Sequence, residues 1–436
     1  MAVVLTNALL VDIDPPRVEP AELRIDGGSI VERSASVTRG PGDEIVDCTG
    51  GVVLPGLVNG HTHLYSALAV GMPPPPQAPA NFHEILRFVW WRLDQALDAP
   101  SIEMSARIGA IQALRCGTTT LIDHHASPNC IDGSLDLLEK SLADVGLRGV
   151  LCYEVTDRHG PEGRHAGLEE NRRFLDRCMR REHGRFAGLV GAHASFTLED
   201  QTLTELVSLA GEFDTGVHIH VAEDACDEEH CQSEYQMFLL DRLANHGLLR
   251  PEAVLAHGTH FDAEAVARVN DVGLTIAHNP RSNMNNAVGY APVGALRCPV
   301  MLGTDGIGAD MFAEAKAAWY ISRHEQGQLT PATVLAMLAA SARRASQALG
   351  VTLGRLEPGA AADVVITDYR PYTPLSADNL PGHFLFAMNA GRVRDVMAGG
   401  RWCLKDRQVV TTDADVAQRE AGAVAADLWA RMARIE

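Results

Sequence analysis

Histidines and acids recur in this chain directly after short apolar runs, a placement that suits metal-assisted hydrolysis. His61 and His63 stand in GLVNGHTHLYS, His220 and Glu223 in GVHIHVAED, His257 in VLAHGTH, and Asp305 in VMLGTDG. His61 and His63 are two positions apart, so on an extended strand both imidazoles point the same way and can chelate one ion. A lone H-x-H is a weak signal. Joined by a third His and an Asp after other apolar runs, it becomes a candidate ligand set: His61, His63, His220 and Asp305. Three neutral imidazoles and one carboxylate suit a single divalent metal ion, Zn²⁺ ahead of Fe²⁺, with a position left for water. Such an ion lowers the pKa of bound water from about 15.7 to about 7. Glu223, just past His220, is the expected general acid/base; the competing reading is a solvated member of the acidic stretch that continues through Asp224, Asp227, Glu228 and Glu229. His257 is expected to hydrogen-bond the attacking oxygen or the developing oxyanion. Asp305 is expected to accept the water proton as well as to bind metal. His218 shares a face with His220 one pleat deeper and reads as a hydrogen-bonded core histidine.

Groups so far apart in the chain need a scaffold that gathers them. Short apolar runs recur at Val52–Val58, Thr118–Ile122, Gly149–Tyr153, Gly188–Gly191, Gly216–Ile219, Val254–Ala256, Leu274–Ala277 and Val300–Leu302. Helical spacing fills most of the gaps, at Ser101–Arg115, Ser134–Val145, Glu170–Arg181, Gln201–Gly211, Glu234–His246 and Asp262–Asp271. Eight buried strands alternating with helices predict an α/β fold, a parallel (β/α)₈ barrel whose C-terminal strand ends share one rim. A doubly wound open sheet competes, but no G-x-G-x-x-G opens a helix after a strand. The barrel is expected over residues 56–349. Residues 1–55 and 350–412 carry short strand patterns with Gly-rich turns and are expected to build one small composite β-sandwich, with a closing amphipathic helix within 413–436. Pro73–Pro76 and Pro79 mark a loop after the first barrel strand, a lid or a plain connector, and the aromatic-rich NFHEILRFVWWRL follows. Trp90 and Trp91 in it could stack on a planar ring.

The 436 residues suffice for a barrel and a companion sheet. A net charge of -19 argues against nucleic acid or an anionic membrane as partner, since phosphate binding needs a basic face. No run of 18 apolar residues and no basic leader is visible, and the nine cysteines, odd in number and without C-x-x-C pairs, read as reduced thiols. A cytoplasmic location is expected. Cys226, His230 and Cys231 cluster, but no fourth partner sits at finger-like spacing.

The pieces PGLVNGHTHLYS, GTTTLID, HIHVAE, LAHGTHFD, HNPRSNMNN and GTDG, in this order, resemble the amidohydrolase superfamily. Within it the chain is similar to the guanine deaminase, adenosylhomocysteine deaminase and triazine chlorohydrolase branch, and NFHEILRFVWWRLDQALD with DHHASPN most resembles the SsnA-type aminohydrolases. The resemblance spans essentially the whole chain and implies the ligand and catalytic roles already read from the residues. It adds substrate contacts from Glu84, His125, His193 and Ser282. Against these stand plainer readings: a helix-surface acid for Glu84, a strand cap for His125, turn chemistry for Ser282. Tyr153 and Arg158, after the third strand, and Arg281 are further candidates for holding a carbonyl or carboxylate. Binuclear relatives use a carboxylated lysine at the fourth strand end. This chain has His193 there, and its lysines are Lys140, Lys316 and Lys405, so a single metal is expected. The expected reaction replaces an exocyclic amino group of a purine, pterin, pyrimidine or triazine by oxygen, releasing ammonia. Hydrolytic ring opening and a catalytically silent binding barrel are the alternatives. A homodimer or higher homo-oligomer is expected from the family alone.

Overall fold

The computed structural model describes residues 2–180 and 184–435. Eight strands run through its middle: Leu57–Thr62, Thr118–His125, Arg148–Tyr153, a fourth broken at Leu189 into Phe186–Gly188 and Val190–Ala194, then Val217–Val221, Val254–His257, Thr275–His278 and Val300–Leu302. All pair in parallel with their neighbours in chain order. The two halves of the fourth strand join two arcs, one half bonding the third strand and the other the fifth. The ring closes where the His61 carbonyl accepts the N–H groups of Thr304 and Asp305 at 2.8 and 3.0 Å, and Thr62 bridges Asp305 in parallel. This is the (β/α)₈ barrel that the apolar runs predict, except that the first run, Val52–Val58, is divided at Gly56: Val52–Pro55 joins another sheet and Leu57–Thr62 is the barrel strand.

Alternation along the strands sorts side chains into two cores. Val58, Ile122, Val150, Cys152, Val254, Ala256, Ala277 and Met301 pack with one another and with Ala340, Ala345 and Leu349 of the helix Pro331–Leu349. Leu57, Leu121, Leu151, Tyr153, Ile219, Leu255 and Ile276 belong instead to the larger core shared with the surrounding helices. Both faces of each strand are thus buried, which is why the runs are continuously apolar.

The helices carry their own start signals. In Ala99–Arg115 the Asp98 carboxylate accepts the Ser101 N–H at 3.0 Å and the Ser101 hydroxyl accepts the Asp98 N–H at 2.9 Å, with Pro100 in the first turn. Two helices differ from the sequence expectation. The one expected from Glu170 starts at Gly160, where Pro161 suits the first turn, and its expected end, Arg181, lies outside the described residues. The one expected over Glu234–His246 is two, Ala225–Tyr235 and Leu239–Asn245, because Gln236 takes a left-handed φ of 55° and ends the first.

Strands from both chain ends are hydrogen-bonded into one nine-stranded sheet. Val52–Pro55 is the joint: it pairs in parallel with Val3–Ile13 and antiparallel with Val364–Thr367. The final helix, Ala414–Met432, packs against Ala99–Arg115 and Trp91–Ala96. Arg92 donates to the carbonyls of Met432 and Ile435 at 2.9 and 3.1 Å, tying the chain's end to the segment that follows the Pro-rich loop. All nine cysteines are free thiols, and among the described residues no helix is long and apolar enough to cross a membrane.

Candidate metal centre and active site

His61, His63, His220 and Asp305 come from the ends of three barrel strands, and one ligand-capable atom from each lies within 4.8 Å of the others. The surroundings fix which nitrogen each imidazole presents. His63 Nδ1 donates to the His124 carbonyl, and His220 Nδ1 to the His193 carbonyl at 2.8 Å. His61 Nδ1 stands 2.9 Å from His218 Nε2, and burial holds both rings below the usual imidazole range, so one neutral ring donates to the other; donation by His61 is the arrangement that leaves its Nε2 free for an ion. In that arrangement each Nδ1–H is committed, and all three Nε2 atoms face the same point. The Nε2 atoms of His63 and His220 are 3.3 Å apart, His61 Nε2 is buried with no hydrogen-bond partner, and Asp305 Oδ1 lies 2.9 Å from His63 Nε2. Four ligand-capable atoms converging on one point fit a divalent cation. The electrostatics agree. Burial and the neighbouring imidazoles push His220 well below its ordinary pKa, and His61, buried, falls to about 3. Burial disfavours charge on His63 too, but the adjacent Asp305 carboxylate outweighs it and raises that ring to about 9; the proton His63 Nε2 shares with Asp305 is the one a bound divalent cation would displace. His218 is both a core histidine and the group that sets the tautomer of His61. Replacing it by Leu is expected to weaken metal retention about 10–100-fold, checked by competition with a metal indicator.

Beside this cluster, the carboxylate of Glu223 lies 3.5 Å from His257 Nε2, which is 4.0 Å from Asp305 Oδ2. Asn286 Nδ2 donates to Glu223 Oε1 at 3.3 Å. His257 Nδ1 donates to Asn283 Oδ1 at 2.8 Å, and the Asn283 amide is oriented by its own donation to Thr259. Burial, reinforced by the Asp305 charge, raises Glu223 to about 7, a carboxyl poised to hold and release a proton near neutrality. Ala222, His257 and Asp305 are all left-handed, with φ of 50°, 77° and 53°. Non-glycine residues in this region cost about 1–3 kcal/mol each, and these three sit where strand ends must turn side chains inward.

Among the residues proposed as substrate contacts, the structure separates two groups. His193 lines the pocket above the cluster, its Nδ1 2.7 Å from Thr197 Oγ1. Ser282 donates to Asp305 Oδ2 and thereby orients that carboxylate. Neither Ser282 itself nor any of the others is among the residues that line the pocket. Glu84 turns back to accept the Ala80 N–H at 2.7 Å, and Arg281 pairs with buried Glu314. His125 and Tyr153 point outward: His125 Nε2 is 2.9 Å from Ser127 Oγ, and Tyr153 packs in the core shared with the helices. Strand alternation explains both. Ile122 and Cys152 face inward, so the next inward positions are His124 and Glu154, not their neighbours. Arg158 stacks on the Trp91 ring at 4.6 Å and donates to Asp94 at 3.1 Å, behind the pocket wall.

The model of the amidohydrolase family matches residues 52–403, a span that carries all four convergent groups, Glu223 and His257. The chain belongs to the amidohydrolase family. It is similar to the 5-methylthioadenosine/S-adenosylhomocysteine deaminase of Halobacterium salinarum, 30% identical over 93% of this chain and 95% of that protein. The 5'-deoxyadenosine deaminase of Methanothermobacter thermautotrophicus is 28% identical over 95% and 96%. Among solved structures, an adenosine deaminase from Xanthomonas campestris with bound zinc has the same fold, with a TM-score of 0.83 at 22% identity over 98% of both chains. Atrazine chlorohydrolase from Arthrobacter aurescens, complexed with zinc, gives 0.82 at 20% over 97% and 100%. The chain is a hydrolase of non-peptide carbon–nitrogen bonds.

This amidohydrolase site contains Glu154, Phe82, Leu86 and Asp94, which the sequence does not single out, beside Trp90 and Trp91, which it does. Glu154 is buried, with Oε2 3.2 Å from His124 Nδ1 and Oε1 3.5 Å from Arg158. Burial alone would raise it, but the His193 and His124 rings hold it well below the carboxylate range. Phe82, Leu86, Trp90 and Trp91 form an apolar wall, and Asp94 sits below them. A π-helical turn over Leu86–Trp90 shifts the helical phase, so the consecutive residues Trp90 and Trp91 both reach the pocket. Among the described residues, no metal-capable group includes Cys226, His230 or Cys231. Close packing also supports the cluster from behind: a Cβ on Gly303 would lie 2.4 Å from Asn279 Oδ1 and 2.7 Å from His61 Cβ. Gly303→Ala is expected to destabilise the fold by about 1–3 kcal/mol, seen as a lowered Tm.

Proposed function

We propose that this chain is a zinc-dependent aminohydrolase, one ion per chain, that replaces the amino group on an amidine carbon of a nitrogen heterocycle by oxygen and releases ammonia. The observation that carries this reading is the adjacency, in one pocket, of the His61–His63–His220–Asp305 cluster and a carboxyl poised near neutrality, Glu223. The relatives named as deaminases of adenosine derivatives support an adenine-like ring.

When bound, the ion supplies Lewis-acid activation that lowers the pKa of a water to about 7. Glu223 takes a proton from the attacking water and delivers it to the ring nitrogen beside the carbon under attack. The second proton of that water, accepted by Asp305 and handed on through the Glu223 carboxyl, goes to the departing amine, which leaves as ammonia. His257 Nε2, facing Glu223 and Asp305, hydrogen-bonds the attacking oxygen. Ser282 keeps Asp305 aimed, and the wall of Phe82, Leu86, Trp90 and Trp91 stacks on the ring and excludes water. Need for a protonated leaving group favours deamination over dehalogenation, because chloride departs without a proton.

Charge narrows the substrate class. Asp94, Glu154, Glu223, Asp224, Asp227 and Asp305 line the pocket, and no Lys or Arg is among its described lining residues. Burial raises Asp94, Glu223 and Asp227 each to about 7, so part of this acid is protonated at neutral pH; the remainder disfavours phosphorylated rings relative to neutral or cationic ones. The test is ammonia release by the zinc-loaded enzyme across adenine-type bases, their nucleosides, pterins, cytosines and triazines. Release from at least one ring, with a 5'-monophosphate poorer than its nucleoside by about 100-fold in kcat/KM, is the expected result. Ring-opened carboxylate products without ammonia would replace the deaminase reading with cyclic-amide hydrolysis.

A further inference from the structure

We propose a second ligand site, at the end of the barrel opposite the metal cluster, that takes a phosphate-type polyanion. The barrel strands are parallel and the cluster lies at their C-terminal ends, so residues that open strands mark the other rim. Arg148 opens the third strand and Arg185 immediately precedes the fourth. Arg401 begins a strand of the nine-stranded sheet. These three arginines line one cleft between barrel and sheet, and none of its described lining residues is acidic.

Their charges are not equally matched. Arg148 is buried and held in place, donating to Asp363 through Nε at 3.0 Å and Nη2 at 2.9 Å. Asp363 also accepts the Gly399 N–H at 2.7 Å, which fixes the turn that leads into Arg401. Arg185 donates to the Ala143 carbonyl at 2.7 Å, and neither it nor Arg401 meets a carboxylate among the described residues. Burial and the charges of Arg401 and Arg148 lower the pKa of Arg185 against a smaller opposing pull from Glu139, as expected of guanidinium groups crowded together. In a chain of net charge -19, that is a local concentration of positive potential. Glycine lines much of the cleft; a Cβ at Gly399 would stand 3.2 Å from Arg148 Nη2 and crowd the guanidinium.

Planar guanidinium forks on two sides of a glycine-lined cleft match the oxygens of a phosphate group, free or carried by a nucleotide. A polyanion held there links Arg185 of the barrel to Arg401 of the sheet, so its binding stabilises the fold. It leaves the distant chemistry untouched.

The experiment titrates zinc-loaded protein with inorganic phosphate and with ADP at constant ionic strength, following Tm and ³¹P line width, with sodium chloride as control. A saturable rise in Tm of a few degrees is expected. The double variant Arg185→Gln/Arg401→Gln should lose about tenfold or more in affinity while its ammonia release stays within about twofold of wild type. Equal affinity for phosphate and ADP identifies the free anion as sufficient; tighter ADP binding identifies a nucleotide. The exposed single variant Arg401→Gln, with half the unmatched charge removed, provides the same comparison should the double variant unfold. No rise beyond sodium chloride, or a rise that survives intact in the variants, overturns the site. Both variants keep the metal cluster, so binding there would show as the surviving rise.

Discussion

Substituting Gln for Glu223 is expected to lower kcat by about 10²–10⁴-fold while bound zinc stays at the wild-type level. Gln occupies nearly the same volume and can still meet Asn286, so the pocket keeps its shape and loses only the transferable proton. The expectation rests on two features of Glu223: its place 3.5 Å from His257, outside the four convergent groups, and a pKa lifted by burial to about 7. Steady-state ammonia release paired with elemental analysis measures both halves. A variant that loses metal along with activity would move Glu223 into the ligand set. Near-normal kcat would remove it from the chemistry.

Metal removal should have the larger effect. Dialysis against a chelator is expected to abolish measurable turnover, a loss of about 10³-fold or more, with recovery on adding Zn²⁺. His220→Ala and Asp305→Ala should reproduce the loss without recovery at micromolar zinc, because each removes one of four convergent donors. Their effects on stability should differ from those on activity. His220 is buried among imidazoles that repel one another when charged, and Asp305 is the acid that balances His63. Asp305→Ala should therefore also lower the Tm of the metal-free protein, since it leaves a buried ring without its counter-charge. Turnover that survives exhaustive chelation would overturn the centre and the mechanism built on it.

The six groups argued from sequence (His61, His63, His220, Glu223, His257 and Asp305) lie together in the structure. Their legibility has a simple cause. Each follows a short apolar run, and in a parallel barrel the end of such a run is a position on one rim, whatever the distance along the chain. The substrate contacts were less legible for an equally definite reason. A strand buried on both faces shows no polar alternation, so its sequence does not say which residues point into the barrel. The expected contacts are His125 and Tyr153, whereas the inward positions are His124 and Glu154, one step away. Only the known inward facing of Ile122 and Cys152 decides the phase. Glu84 shows a second limit: its carboxylate is consumed by the backbone turn at Ala80, a local contact that residue type alone does not announce.

Residue chemistry, the order of the elements and the rim on which the reactive groups fall were set by the amino-acid sequence alone, since each depends on local patterns of apolar and polar residues. Tertiary structure alone decided which face of each strand turns inward, which nitrogen each imidazole offers and which acids line the pocket. Those follow from contacts between segments far apart in the chain, such as His61 with His218 and Glu154 with His124. No spacing along a single run records them.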